Sequence, residues 1–143
     1  MEHNPAVLAP VDGAEHQTFG PVEIDIVRVG EARIKRCIYP VGMRWSTDLA
    51  PLVGTDSCRH AHAGFLAHGA LHFEFADGCA IDLVAPAAVD VAPGHDAWVV
   101  GDEPAVLIEV DFEADTVALF LASDESGYCT GGEFAVDGGV TAT

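Results

Sequence analysis

The chain has 143 residues, half of them hydrophobic, and its 23 acidic against 6 basic residues give a formal charge of −17. That length fits one domain with a real core, excludes two of ordinary size, and the hydrophobic share excludes disorder throughout. So acidic a chain repels phosphate backbones and anionic bilayers, so neither a nucleic-acid nor a membrane partner is expected, and no apolar run approaches the roughly 18 residues of a membrane span.

The first 20 residues read as an irregular arm, punctuated by Pro5, Pro10, Gly13 and Gly20. Its start, Met1-Glu2-His3-Asn4-Pro5, lacks the basic and apolar regions of a signal peptide, which makes a cytoplasmic location the expectation. From Val22 the period becomes two, with Val22, Ile24 and Ile26 alternating with Glu23 and Asp25, as in a half-buried strand. Ala32, Ile34, Arg36 and Ile38 predict a second strand ended by Pro40, and Met43 with Trp45 a short third. Pro51 and Gly54 mark a loop.

Short strands then recur. Cys58, His60 and His62 fall on one face, because side chains two apart in a strand point the same way. Gly64 and the pair His68-Gly69 interrupt the run. Leu71, Phe73 and Phe75 alternate cleanly, Asp77-Gly78 signals a hairpin, and Cys79 to Val84 return from it. Val89 and Val91 lead to a turn at Pro93-Gly94, Trp98 to Val100 follow, and Ala105 to Phe112 form the last strand of the series. Strands at this spacing, separated by turn signals, predict an all-β sandwich or barrel. Past Glu113 the pattern changes: Val117, Phe120 and Leu121 suit a short amphipathic helix, and 133–136 one more strand.

Charge is unevenly placed. All six basic residues lie between Arg28 and Arg59, whereas fifteen acids and no Lys or Arg follow His60. Five of the seven histidines fall between His60 and His95. An anion bound in that half would have to meet histidine, backbone N–H, a hydroxyl or a metal; a solvated acidic surface is the plainer alternative. The four cysteines are scattered with no Cys-x-x-Cys pair, so free buried thiols are expected rather than a disulfide framework.

Gly54-Thr-Asp-Ser-Cys-Arg-His60-Ala-His62 resembles the first half of the first cupin motif, a Gly, five residues, then His-x-His. The run Pro93-Gly94-His95-Asp96-Ala97-Trp98 through Pro104 is similar to the second motif region of small stand-alone cupins, as is Cys58-x3-His62 followed by Gly64, Phe65 and Leu66. The resemblance covers about residues 20–112. It implies a small antiparallel jelly-roll barrel over 21–113, often a homodimer, with a small-molecule ligand inside. Two imidazoles on an inward face converge on one point, and a third donor from a facing strand completes a metal set with open positions for substrate. The match has gaps. The Glu that should follow the second His is replaced by Leu66 or Ala67, the later His by Ala97, and the usual Gly-Asp turn by Ala87-Ala88.

The candidate metal ligands are therefore Cys58, His60, His62 and His95, or else these are pocket-lining residues hydrogen-bonded to neighbours. Zinc suits a thiolate–imidazole set best, with Fe, Mn or Ni the other divalent candidates. Phe65, Phe73, His95 and Trp98 are the candidate ligand-binding residues, Asp96 a possible partner for the His95 ring, and His68 and His72 rim positions. Three readings remain open: a binding module for a small molecule, a metal-dependent cupin enzyme of dioxygenase or isomerase type, or a non-catalytic fusion product whose main property is dimerisation through its N-terminal strands.

Residues 120–139, which include Tyr128-Cys129-Thr130-Gly131 and end Asp137-Gly138-Gly139, resemble the C-terminal end of short-chain dehydrogenases. The nucleotide loop and the Tyr-x-x-x-Lys pair of that family are absent, since the single lysine is Lys35 with Glu31 four before it. No nicotinamide cofactor or hydride transfer is expected, and residues 114–143 read as a fused fragment.

Overall fold

The computed structural model describes residues 6–112. The helix and strand predicted past Glu113, and the dehydrogenase-like segment, lie outside the described residues.

The fold is all-β and antiparallel. Nine strands run in chain order: β1 (Glu15–Phe19), β2 (Val22–Val29), β3 (Ala32–Tyr39), β4 (His62–His68), β5 (Ala70–Phe75), β6 (Ala80–Val84), β7 (Ala87–Val91), β8 (His95–Val99) and β9 (Ala105–Phe112). They form a six-stranded sheet, β1-β2-β3-β9-β4-β7, and a three-stranded sheet, β6-β5-β8. Buried side chains from both sheets make one core that includes Val22, Leu66, Leu71, Phe73, Val89 and Leu107. Burying each such side chain contributes about 1.5–3 kcal/mol. Among the described residues, no helix is long and apolar enough to cross a membrane.

The period-two segments from Val22 onward form strands where alternation placed them. Four local expectations differ, and a fifth, that Cys58 and His60 share a strand face with His62, fails because β4 begins at His62 and Cys58 makes only an isolated bridge to His95. Residues 15–19, read as part of an irregular arm, form the edge strand β1, paired from Glu15↔Ile26 to Phe19↔Val22. Four of its five side chains are exposed, so no apolar alternation marks it. The stretch from Met43 to Trp45 is not a strand. Arg44 makes one isolated bridge to Trp98, and the chain then coils, with the Arg44 carbonyl accepting from Thr47 and Asp48 N–H and the Asp48 carboxylate accepting from Arg44 N–H. A turn of π-helix (Trp45–Leu49) runs on into α1 (Ala50–Val53). Pro51 and Gly54, read as loop markers, are the start and stop of that helix: Pro51 lies in its first turn, and Gly54 caps it at φ 78°. Gly64 does not interrupt β4 but sits inside it.

The N-terminal segment is tied down by charge. Arg36 donates to the Val7 and Ala9 carbonyls and pairs with Asp25, which also accepts from His16. Cys37 and Cys58 are free and buried, as expected; Cys79 departs from that expectation and is disulfide-bonded.

Candidate functional site

A cavity of about 470 Å³ opens between the two sheets. The large sheet contributes Val22, Ile24, Cys37, His62, Leu107 and Glu109 to its wall, the small sheet Leu71, Phe73, His95 and Ala97. The segment from Met43 to His60 closes one side with Trp45, Leu49 and Cys58 among others. Most of this wall is apolar, and its polar groups gather around one carboxylate.

Three separate pieces of chain deliver the central donors. Cys58 is pinned to β8 by reciprocal backbone bonds, Cys58 N–H to the His95 carbonyl and Gly94 N–H to the Cys58 carbonyl. His62 opens β4 opposite Val91, and His95 opens β8 opposite Phe75. Their sulfur and nitrogen donors lie within 4.8 Å of one another, and all three side chains are buried. A second trio, His60, His62 and Glu109, meets the same limit and shares His62.

Hydrogen bonds fix both central rings. A carboxylate and a carbonyl can only accept, so the ring nitrogen facing each must carry the proton. His62 Nδ1–H donates to Glu109 Oε1 at 3.2 Å, and His95 Nδ1–H donates to the Ala92 carbonyl at 2.7 Å. Each ring thereby offers its other nitrogen, Nε2, and that of His62 stands 3.8 Å from Cys58 Sγ. Imidazoles that ligate metals are commonly oriented through such a bond on the far nitrogen. Phe73 and Phe75 pack edge-on against His95, with centroids 5.2 and 5.8 Å away.

Glu109 is the hub. It is 3% exposed, accepts from His62, stands 3.3 Å from His60 Nε2, and faces the Cys37 thiol at 3.6 Å. Burial alone would favour its neutral form, but the charge and hydrogen bonds of His62 and His60 hold it well below the usual carboxylate range. Burial likewise works against charge on the other two groups and is outweighed. Interactions with His62 and His95 draw the Cys58 thiol down to about 5, and Glu109 with Cys58 lifts His62 to about 10. Cys37 goes the other way, pushed up by burial and by the Glu109 charge. Without a metal the relay reads thiolate, imidazolium, carboxylate.

Cys58, His62 and His95, with donor atoms within 4.8 Å of one another, could hold a divalent metal. Zinc–ligand bonds of about 2.0–2.3 Å at tetrahedral angles separate donors by roughly 3.3–3.8 Å. The Cys58–His62 spacing of 3.8 Å meets that range. One thiolate and two imidazoles form a three-ligand set that leaves a fourth position open.

Of the residues singled out in the sequence, Cys58, His60, His62, His95 and Phe73 line the cavity. Phe65 and Trp98 do not, and strand parity is the reason. Phe65 lies one residue from buried Leu66 and is 47% exposed. Trp98 alternates with buried Ala97 and Val99, and stacks outside between His72, at 4.4 Å, and the Arg44 guanidinium, at 4.1 Å. Asp96 does not orient His95; it pairs with Arg44 and accepts from Ser46 N–H. His68 and His72 pair with Glu103 and Asp82. Glu109 was missed. Its signal was an acid two residues after Leu107, followed by Asp111 at the same parity, in a strand otherwise apolar.

No protein-family model and no curated protein matches the chain.

Proposed function

We propose that this protein binds a small molecule with an apolar body in the cavity between its sheets, and that Cys58, His62 and His95 hold a divalent metal at the polar end. The observation that carries the reading is the convergence of three buried donors on one point of a mostly apolar cavity. Cavities that bind small molecules have this character, apolar walls with a few convergent polar groups. The cupin resemblance of residues 20–112 supports the same reading, although Leu66 or Ala67 and Ala97 stand at the positions of the usual Glu and later His. Zinc is the metal that donor chemistry favours, because thiolate and imidazole are both good zinc ligands.

When bound, such a metal supplies a Lewis acid with one open coordination position. The chain's own groups do the rest. Glu109 holds the His62 ring by its Nδ1, the Ala92 carbonyl holds His95, and Phe73 and Phe75 shield the pair from water. His60, half exposed in the cavity wall and in contact with Glu109, helps to hold that carboxylate in place.

The test is metal content in protein purified without a nickel column, followed by zinc titration of the chelated protein. About one equivalent is expected, and His62→Ala should lose it while keeping the fold. Less than about a tenth of an equivalent in the unsubstituted protein would end the metal reading.

A further inference from the structure

We propose that the ligand of this cavity is an amphiphilic anion: a carboxylate carried on an aliphatic or aryl tail of moderate length. The proposal rests on the cavity reading above and adds the chemistry of the occupant. Its first support is a contrast of charge. The chain carries 23 acidic residues, yet Glu109 is the one acid that lines the cavity among the described residues. Its charge is already engaged by His62 and His60. Two of only six basic residues, Lys35 and Arg59, line the same space.

Their positions sharpen the contrast. Lys35 stands directly across from Glu109 in the β3–β9 register, at the edge of the polar cluster, and its ammonium also meets Asp111 at 3.0 Å. Arg59 falls between Cys58 and His60 and is exposed at the opening. Two cationic side chains therefore border the polar end, Lys35 sharing its charge with Asp111, and the one carboxylate of the wall is engaged by histidines. A negatively charged head group gains from these two cations and from a metal at the polar end, whereas a neutral or cationic head gains no such attraction.

The second support is the apolar part of the wall, which Tyr39 and Thr55 interrupt with hydroxyls. Val22, Ile24, Trp45, Leu49, Phe73 and Leu107 offer no hydrogen-bonding group except the Trp45 indole N–H. A purely polar anion would leave this surface facing water, whereas an apolar tail buries it at about 25 cal/mol per Å². The cavity volume of about 470 Å³ lies in the range of about 300–1,000 Å³ found for small-molecule sites. Head and tail requirements together specify the class.

Calorimetric titration of the full zinc-treated chain with octanoate, octan-1-ol and acetate tests this. Octanoate should bind about tenfold or more tighter than octan-1-ol, as one charge-assisted contact implies, with acetate weaker than octanoate. Arg59→Ala and Lys35→Met should each weaken octanoate several-fold and leave octan-1-ol unchanged. Equal affinity for octanoate and octan-1-ol, or no binding of either, would overturn the proposal. A chain that takes up no zinc yet keeps the preference for octanoate supports the anion assignment and sinks the metal reading, so the two fail separately.

Discussion

Replacing Glu109 by Gln removes one charge from the centre of the site and almost no volume. The carboxylate is 3% exposed and contacts His62, His60 and Cys37 at 3.2, 3.3 and 3.6 Å. Of the three, the His62 contact is fully buried and links two groups that shift each other toward their charged forms. Breaking a buried pair from one side costs about 3–5 kcal/mol, because the remaining charge is left uncompensated. The neutral amide can still accept from His62 Nδ1–H, so the lower part of that range is expected. His62 should respond by giving up its proton more readily, its titration falling from about 10 toward the ordinary imidazole value of 6.5. Urea unfolding of metal-free wild type and variant gives the stability difference, and NMR of the His62 ring protons against pH gives the shift. A loss below about 1 kcal/mol together with an unmoved His62 titration would refute the assignment of Glu109 as the partner that holds this ring.

Three further outcomes follow from the same contacts. In metal-free protein at about pH 6, iodoacetamide should label Cys58 and spare Cys37, since the thiolate is the reactive form and the two thiols are shifted in opposite directions; equal labelling in a mass-spectrometric map would contradict this. Gly64→Ala should destabilise by about 1–3 kcal/mol and weaken zinc binding, because an added Cβ would overlap the Ile108 carbonyl and stand 2.8 Å from Glu109 Cα, forcing β4 and β9 apart; an unchanged unfolding midpoint would count against the close approach. Asp25 is held below its ordinary 3.8: burial is outweighed by hydrogen bonds from His16 and Arg36. A depressed carboxylate contributes stability that is present above that ordinary value and lost as pH falls below it, so Asp25→Asn should flatten the acid limb of the stability profile. An identical acid limb in wild type and variant would show that Asp25 is not its source.

Most of the strands could be read because their faces differ. From Val22 to Phe112 one side of each strand meets the core and the other meets water or charge, and period two records that difference directly. β1 escaped because an edge strand with four exposed side chains has no apolar face to reveal. The site divides along the same line. Cys58, His60 and His62 share parity, and all three reach the cavity. Phe65 and Trp98 have aromatic character but the wrong parity, one residue out of step with His62 and His95 respectively in period two, and neither lines the cavity. Glu109 has the right parity, two beyond Leu107, yet it shares that parity with Asp111, and two acids on one face are equally compatible with the outside until pairing is known. The register supplies what sequence spacing cannot. Lys35, Glu109 and Gly64 stand in one row across β3, β9 and β4. A side chain at position 64 would collide with the β9 backbone beside Glu109, so the glycine that looked like a strand breaker is what lets β4 lie close enough for His62 to reach its carboxylate.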